Sequence, residues 1–494
     1  MRRDLAALSG REHDLVVVGG GIYGVAAAWD AAQRGLATAL VEAADFGSGT
    51  SRNSLKTIHG GLRHLRRLDL RRTRESIRER RALLRIAPDI VRPLPFLVPT
   101  YGHGLRGWEG LAAGLALSDL IGRDRNRGLD PARQIPGGRM LSRAEVLELV
   151  PGLPEHGLTG GAVWHDAQVT SSERLVVGFL EAASAAGAAL ANYVEVTGLL
   201  RSGERVVGVR AEDRQAGNAL EVRARVVLNA TGPCTDRLLE RVGLRASGVP
   251  LLRAMNLVFR RPIVTSHAVG AWSQGRYLFL VPWQGRSLLG TDYAAAESPQ
   301  GNDAASFLEE ARRAYPWAGL EAEDVGLVHR GLVPGRGGAD GLWTRHLLLD
   351  HAGNGAPGLL SVQGAKYTVA RAVAQEAVDL VFRRLGRPVP PCRTASTPLP
   401  RARPLEGALA ERTRQAVRDE MALHLSDAVL GRLDMGTGGP PAEADLATVE
   451  GVMSTELQWS EPRLREERRL LAEIYEWRRS GAPVQSRESG RRTG

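Results

Sequence analysis

Residues 14–24 read Asp-Leu-Val-Val-Val-Gly-Gly-Gly-Ile-Tyr-Gly, and the fold is deduced outward from this stretch. The β-branched apolar run predicts a strand over Asp14–Val18, because a parallel strand covered on both faces is continuously apolar. Beyond the glycines, the alanine-rich segment predicts a helix from Ile22 to Gln33. A second strand is expected over Ala37–Val41. The order of these elements predicts a βαβ unit at the start of the chain.

The glycines between the first strand and the helix have the spacing Gly19-x-Gly21-x-x-Gly24. In a Rossmann-type unit such glycines permit the tight turn, the close approach of backbone to a pyrophosphate, and close packing of helix on strand. The free N–H groups at the helix N-terminus then favour the anion. Glu42 ends the second strand, where an acid accepts hydrogen bonds from ribose hydroxyls. The pattern predicts dinucleotide binding, and it does not distinguish NAD from FAD.

A hydroxyl-rich loop follows and runs into a pair of glycines at positions 60 and 61. Such a loop supplies many hydrogen-bond donors for phosphate and ring oxygens. A surface loop would account for the hydroxyl groups, but it accounts poorly for three basic residues beside two glycines. These basic residues are Lys56, His59 and Arg63.

The stretches V-V-V-G-G-G-I-Y-G (16–24) and S-L-K-T-I-H-G-G-L-R-H-L (54–65) resemble the FAD-dependent glycerol-3-phosphate dehydrogenases. These enzymes belong to the flavoprotein group that includes D-amino-acid oxidase. Further matches are N-A-T-G-P at Asn229–Pro233, the V-P-W…G-T-D pattern from Val281 to Asp292, and G-A-K-Y-T at Gly364–Thr368. The resemblance covers nearly the whole chain. It implies FAD as the cofactor and residues 405–480 as a C-terminal helical cap.

The resemblance also implies the roles of particular residues. The catalytic candidates are His59, Arg63 and Lys366. A lone histidine is more often structural, but the position of His59 before two glycines favours a role at the flavin as proton carrier. Arg63 and His64 would bind substrate. The residues expected to bind FAD are Gly19, Gly21, Gly24, Glu42, Thr50, Ser51, Ser54, Lys56, Ala230, Gly232, Gly364, Lys366, Tyr367 and Thr368.

The composition supports the two lysines among these candidates. Lysine occurs at Lys56 and Lys366 alone, while the other 63 of the 65 basic residues are arginine. A compact ammonium differs from a planar guanidinium in its reach and in how its pKa responds to burial. We therefore expect both lysines to act at the flavin or the substrate.

The chain departs from the family at two positions. The family carries arginine in a G-V-R-P-L-like segment, whereas this chain has Gly-Leu-Val-Pro-Gly at 331–335, so Val333 occupies the arginine position. Arg330 and Arg336 flank Val333 and are the candidates to replace that cation for a phosphate. Glycines at 335, 337 and 338 favour Arg336, because they would let its backbone shift. His64 stands where the family usually has tyrosine.

These features predict an α/β flavoprotein in which a Rossmann-type FAD-binding domain is interleaved with a mixed or antiparallel substrate domain. The whole unit is expected over 12–388, followed by a proline-rich linker at 389–404 and the cap at 405–480. A disordered tail is expected at 481–494. The flavin parts are expected at 12–92, 160–235 and 355–388, and the substrate parts at 93–159 and 236–354. Two helices are expected in the cap, over Leu405–Leu433 and Pro462–Trp477.

Composition excludes several classes of function. The net charge of +10 is scattered over many arginines, with no basic run interleaved with aromatic residues, so we expect no nucleic-acid binding. Two cysteines cannot form a disulfide framework or a zinc site, and no metal is expected. The sequence has neither an 18-residue apolar run nor a signal peptide, which predicts a cytoplasmic protein. A helix near Trp108 with Leu111 and Leu115 on one face would allow peripheral contact with the inner membrane.

The expected reaction is oxidation of sn-glycerol 3-phosphate to dihydroxyacetone phosphate, with electrons passed to a quinone or another acceptor. One alternative is an oxidase or dehydrogenase of an amino or hydroxy acid with the same fold, since a carboxylate needs a single bidentate arginine. The other is a flavin-binding protein without this activity. The sequence leaves open whether the protein is a monomer or a homodimer.

Overall fold

The computed structural model describes residues 1–65, 68–104, 107–296, 303–336, 341–343, 345–399 and 402–480. Its strands are β1 (His13–Val18), β2 (Thr38–Val41), β3 (Thr57–Ile58), β4 (Val91–Tyr101), β5 (Arg139–Ser142), β6 (Leu158–Val169), β7 (Ala189–Ala191), β8 (Val194–Ser202), β9 (Arg205–Asp213), β10 (Ala219–Asn229), β11 (Leu251–Phe259), β12 (Ala268–Ser273), β13 (Arg276–Trp283), β14 (Arg286–Ala295), β15 (Val325–Pro334), β16 (Leu347–Asp350) and β17 (Leu359–Gln363). Its α-helices are α1 (Leu5–Ser9), α2 (Ile22–Gln33), α3 (Leu62–Leu65), α4 (Leu70–Ile86), α5 (Trp108–Ile121), α6 (Arg143–Leu149), α7 (Ser172–Ala185), α8 (Thr235–Arg241), α9 (Ala304–Ala314), α10 (Ala370–Arg384), α11 (Leu409–Glu420), α12 (Glu443–Leu457) and α13 (Glu461–Ser480).

The first sheet has the strand order β16-β17-β10-β1-β2-β7. β1 lies in the middle, parallel to β2 and β10, and the hairpin of β8 and β9 extends β10. Helix α2 packs between α7 and α10 over one apolar core. The predicted βαβ unit is thus present, with α2 over the predicted residues, because its buried alanines allow close packing on the sheet.

The second sheet is mostly antiparallel and has the order β15-β11-β14-β13-β12-β4-β6-β3. β12 and β4 are parallel, so the sheet is mixed, as predicted. One predicted boundary is wrong, because residues 160–169 were expected in the flavin part. They form most of β6, which pairs along its length with β4 and therefore belongs to the second sheet.

The cap differs from its prediction. A single helix was expected over Leu405–Leu433, but α11 ends where Met421 adopts a left-handed φ of 55°, and a π-helical turn follows over Asp427–Arg432. Leu425 and Val429 of the predicted apolar stripe are nonetheless buried. Burial of these apolar side chains therefore followed the sequence, while the backbone path was set by packing against the other domain. Helix α12 was not predicted, and α13 matches the second expected helix.

Two buried arginine–carboxylate pairs attach the cap to the first sheet. Arg174 of α7 donates to both oxygens of Glu420 at 2.6 and 2.9 Å. Arg432 donates to both oxygens of Asp45 at 2.8 and 2.7 Å. Removal of one partner from such a pair leaves an uncompensated buried charge, so both pairs fix the position of the cap.

The outer boundaries of the cap remain predictions. Residues 389–399 and 402–404 contain no helix or strand, which agrees with the expected linker. The expected tail at 481–494 lies outside the described residues.

Candidate active site

A continuous cavity of about 2000 Å³ opens at the carboxyl ends of β1 and β2 and extends under the second sheet. Open α/β sheets bind ligands at this edge. The volume exceeds the roughly 300–1,000 Å³ of a pocket for one small molecule, so it suits a dinucleotide together with a substrate. We call the part around Gly19, Gly21 and Glu42 the dinucleotide end, and the part around His59, Arg63 and Lys366 the substrate end.

Glycine is required for a different reason at each of the three predicted positions. Gly19 has φ +108°, which disfavours other residues, and a Cβ on Gly24 would lie 1.9 Å from the Gly19 carbonyl oxygen. Gly21 has an ordinary φ of −74°, and a Cβ there would meet only Ser51 Oγ, at 3.3 Å. Contacts within the protein therefore require Gly19 and Gly24. The open space at Gly21 lies at the N-terminus of α2, where a pyrophosphate would approach.

Glu42 lies in the cavity wall with its carboxylate held by backbone groups. Oε2 accepts from Gly20 N–H at 2.6 Å, and Oε1 accepts from Ala44 N–H at 2.9 Å. Burial raises the pKa of Glu42, against the opposing effect of these two hydrogen bonds. The fixed orientation suits an acceptor for ribose hydroxyls.

The hydroxyl-rich loop lines the cavity, but its side chains also bind neighbouring backbone. Ser51 Oγ accepts from Ile22 N–H at 3.0 Å, at the N-terminus of α2. Thr50 Oγ1 donates to Leu332 O at 2.9 Å, which joins the loop to β15. Ser54 Oγ accepts from Lys56 N–H at 3.2 Å. The loop therefore forms a fixed wall between the two sheets.

Lys56 differs from its expected role. Its ammonium is fully buried and donates to Ser172 Oγ at 2.6 Å and to the Glu173 carboxylate at 3.1 Å. It does not belong to the cavity lining. The Lys56 ammonium thus fixes the hydroxyl-rich loop to α7. Other residues of this loop face the cavity.

Two turns far apart in sequence complete the wall. Ala230 and Gly232 follow β10, and residues 364–368 follow β17. The second turn is tied to two other predicted segments, because Tyr23 Oη donates to Lys366 O at 2.8 Å and His59 N–H donates to Thr368 Oγ1 at 3.1 Å. The other predicted cofactor residues of this turn, Gly364 and Tyr367, also line the cavity.

Lys366 and His64 form a close pair at the substrate end, with 2.5 Å between Lys366 Nζ and His64 Nε2. Burial, with the charges of Lys366 and Arg63, lowers the pKa of His64 to about 3, so its ring is neutral and accepts from the ammonium. Burial, with the charge of Arg63, lowers the pKa of Lys366 to about 8. Lys366 is therefore mostly charged at neutral pH, but it loses its proton about one pH unit above neutrality.

Arg63 and His59 line the same end of the cavity. The Arg63 side chain is exposed to the open space, whereas the His59 ring is 48% exposed and lies beside Phe96. Both side chains are therefore accessible to a small molecule.

The position of the missing family arginine is an apolar part of the wall. Val333 is 9% exposed and lines the cavity. Arg330 also lines it and donates to the Trp477 carbonyl of α13 at 3.4 Å. Arg336 is exposed and lies outside the lining, so of the two candidates Arg330 is the one that borders the cavity. The glycines at 337 and 338 that motivated this preference lie outside the described residues.

The sequence reasoning missed several residues of the wall. Arg253 on β11 lines the cavity, and so does Arg276, which pairs with Asp292 at 3.2 Å and Glu310 at 2.8 Å. A charged residue within an apolar strand, as in Leu251–Phe259, was the available signal for Arg253. Four aromatic side chains of the wall had no local signal, since they come from the separate strands β6, β12 and β13: Trp164, Trp272, Tyr277 and Phe279.

Comparison with known proteins identifies the family. A family model described as FAD dependent oxidoreductase matches residues 14–380. A glycerol-3-phosphate dehydrogenase from Synechocystis sp. is 35% identical over 424 residues, which make up 81% of this chain and 75% of that protein. The chain belongs to the FAD-dependent oxidoreductases and, within them, to the family of the glycerol-3-phosphate dehydrogenases. Its cofactor is FAD, as predicted, and it is a dehydrogenase of the class that acts on a CH–OH donor.

Two further comparisons agree. The glycerol-3-phosphate dehydrogenase of Mycobacterium leprae is 35% identical over 379 residues, 74% of this chain and 63% of that protein. The glycerol-3-phosphate dehydrogenase of Bacillus halodurans, solved in complex with FAD, has a TM-score of 0.73 at 24% identity, over 97% of each chain. The latter likeness confirms the fold class. The residues around Gly21 and Glu42 fit FAD, because the open space at Gly21 beside the N-terminus of α2 suits its pyrophosphate and the oriented carboxylate suits its ribose.

Proposed function

We propose that this dehydrogenase oxidises sn-glycerol 3-phosphate to dihydroxyacetone phosphate. The observation that carries the proposal is the pairing of Lys366 with neutral His64 beside Arg63, in the cavity whose other end suits FAD. A phosphate dianion requires several cations, and charge-assisted hydrogen bonds stabilise it by about 1.5–3 kcal/mol each. The 35% identical relatives named glycerol-3-phosphate dehydrogenase support the same substrate.

In the proposed reaction, the side chains divide the work between binding and proton transfer. Arg63 and Lys366 attract the phosphate, and Arg330 supplies a third cation near the apolar Val333. His59 takes the proton from the secondary hydroxyl. FAD, which the residues around Gly21 and Glu42 would hold, would supply the hydride acceptor for this oxidation. The aromatic side chains Trp164 and Phe279 cover the same part of the cavity and limit the access of water.

The presence of Val333 in place of the family arginine favours one competing class of substrate, the carboxylates. Without the family arginine, Arg63 could bind a carboxylate bidentately, which is sufficient for an amino acid or a hydroxy acid. The fold alone does not distinguish this possibility, since members of the wider group act on different donors.

An anaerobic substrate panel on the purified holoprotein tests the proposal. Glycerol 3-phosphate should bleach the bound flavin, while lactate, glycine and proline should leave it oxidised. Bleaching by an amino or hydroxy acid alone would move the assignment to the competing class. Flavin that stays oxidised with every donor, but is bleached by dithionite, would point to a flavin-binding protein without this activity.

We further propose that a quinone accepts the electrons and that α5 contacts a membrane. Among the described residues, no helix is both long and apolar enough to cross a bilayer. The Trp108 ring lies against Gly160, and Leu111 and Leu115 line the cavity, so the predicted stripe faces the protein, yet Leu120 on the same helix is 68% exposed. Leu68 and Leu70 are also exposed, and they flank the start of α4, which packs on α5. We propose these exposed leucines as the apolar contact with a membrane surface.

Sedimentation with vesicles tests the membrane proposal. Wild-type protein should sediment with vesicles of mixed neutral and anionic lipids, and Leu68→Glu with Leu120→Glu should reduce the bound fraction severalfold. Equal binding of the variant would reject this surface.

A further inference from the structure

Asp166 of β6 lies directly behind His59, and the inference drawn from it rests on the proposed function. The carboxylate is buried, with the residue 3% exposed. Its Oδ2 lies 3.5 Å from His59 Nδ1 and 3.5 Å from Trp164 Nε1. Its Oδ1 accepts from Gly60 N–H and from Arg80 Nη1, each at 2.5 Å. One carboxylate thus holds both the ring of His59 and the backbone that follows it.

The two glycines after His59 are explained by this arrangement. A Cβ on Gly60 would lie 2.2 Å from Arg80 Nη1 and 2.7 Å from Asp166 Oδ1. Gly61 has φ +87°, and its Cβ would lie 2.9 Å from the side chain of Ser76. Glycine at both positions therefore lets the chain carry His59 onto Asp166. The His-Gly-Gly sequence is the local sign of a contact with a residue more than a hundred positions away.

Arg80 keeps this carboxylate charged. Its buried guanidinium also donates to His165 O at 2.7 Å, which fixes it behind Asp166. Burial opposes ionisation of Asp166, but the hydrogen bond from His59 and the charge of Arg80 prevail and lower its pKa to about 2. An ionised carboxylate accepts hydrogen bonds only, so the His59 nitrogen facing it must carry a proton.

We propose that Asp166 is a positioning residue that holds the His59 proton on Nδ1, so that Nε2 accepts the proton of the substrate hydroxyl. The substrate O–H bond breaks and an N–H bond forms at Nε2, while the carbon loses hydride to FAD and becomes a ketone. The imidazolium so formed is stabilised by Asp166 and later returns its proton to water. This arrangement follows the logic by which a buried carboxylate fixes the tautomer of a catalytic histidine.

The tautomer can be measured without turnover. In the holoprotein labelled with ¹⁵N-histidine, NMR should show one ring protonated at Nδ1 whose signals disappear in His59→Gln. In Asp166→Asn this ring should shift toward a mixture of tautomers. Asp124→Asn is the matched control, because Asp124 pairs with Arg74 and Arg81 of α4 away from the cavity. An unchanged His59 tautomer in Asp166→Asn would overturn the inference.

Kinetics provide the second measurement. His59→Gln and Asp166→Asn should each lower kcat about 100-fold with little change in KM, as loss of a general base does. The double variant should be no slower than His59→Gln, because residues that act as a unit are not additive. Additive losses in a double variant that keeps its flavin would also overturn the inference.

The two measurements separate this inference from the proposed substrate. If glycerol 3-phosphate does not bleach the flavin but the His59 tautomer changes in Asp166→Asn, the proposed substrate is wrong and the role of Asp166 stands. The kinetic comparison of the single and double variants is then made with the donor that does bleach the flavin.

Discussion

At the dinucleotide end of the cavity, the wall combines the backbone around Gly19 and Gly21 with the Glu42 carboxylate, and Ser51 and the turn at Ala230 complete it. At the substrate end, the groups are side chains of separate segments, such as His59, Lys366 and Arg330. Backbone N–H groups bind what every dinucleotide shares, whereas side chains determine which small molecule is oxidised. The first end therefore depends on glycine geometry, whereas the second depends on side chains that separate segments bring together.

The largest effects are expected at Gly24, which the fold requires, and at Gly21, which FAD binding requires. Gly24→Val should destabilise the fold by about 3 kcal/mol or more, because its Cβ would collide with the Gly19 carbonyl oxygen and the core cannot yield. Gly21→Val should fold, since Ser51 Oγ is the one neighbour of its Cβ, but it should lose FAD. Thermal unfolding and the ratio of flavin to protein measure the two effects.

Gly451→Ala on α12 is the control for both glycine variants, because nothing lies within 4 Å of its added Cβ. A Gly21→Val protein that retains full FAD would contradict the placement of the pyrophosphate at α2.

Substitution of the two lysines should have different effects, on stability at Lys56 and on the flavin and catalysis at Lys366. Lys56→Met should lower the free energy of unfolding by about 3 kcal/mol, because buried Glu173 would lose its ammonium partner. Lys366→Met should retain stability but lower the reduction potential of the flavin, since the anionic reduced ring would lose a nearby cation. Its kcat/KM should fall about 10- to 100-fold, as for loss of one charge-assisted contact.

Chemical denaturation, a redox titration of the bound flavin and steady-state kinetics measure these losses. Lys366→Arg should restore part of the activity, because the charge returns with a different shape. If Lys366→Met left both the potential and the turnover unchanged, Lys366 would have no part in the site.

The flanking arginines test the substrate end alone. Arg330→Ala should lower kcat/KM for glycerol 3-phosphate about 10- to 100-fold, because Arg330 lines the cavity beside Val333. Arg336→Ala is its control and should change kcat/KM less than about twofold, since an exposed side chain outside the lining contributes little. Val333→Arg should raise the activity or leave it unaffected. Full activity in Arg330→Ala would show that another cation, such as Arg253, replaces the family arginine.

The smallest effect concerns pH. The ammonium of Lys366 is the form that attracts the phosphate, and its pKa is lowered to about 8 by burial and by Arg63. The charged fraction falls as the pH rises through this value, so kcat/KM should decline above about pH 8. Lys366→Arg should remove the decline, because a guanidinium does not titrate in this range. A decline that persists in Lys366→Arg would come from another group.

The sequence alone predicted the βαβ unit and dinucleotide binding, because their signals are local, whereas FAD was expected from the family resemblance. The β-branched run, the glycine spacing and the acid at position 42 lie within about thirty residues, and each has its own steric or electrostatic reason. The residues after β10 and β17 could be placed only through the family resemblance. In the cap, the sequence predicted the apolar stripe but not the end of the helix at Met421.

The tertiary structure decided which side chains face the cavity. Both lysines looked alike in the sequence, yet packing on α7 directs the Lys56 ammonium to Glu173, while the turn after β17 brings Lys366 to His64. Likewise, Arg330 rather than Arg336 reaches the cavity, and Asp166 lies behind His59. The direction of a side chain depends on long-range packing and charge pairing, which the sequence around it does not contain. Backbone turns depend on local sterics, and for this reason the sequence by itself determined the βαβ part of the dinucleotide end, from Gly19 to Glu42.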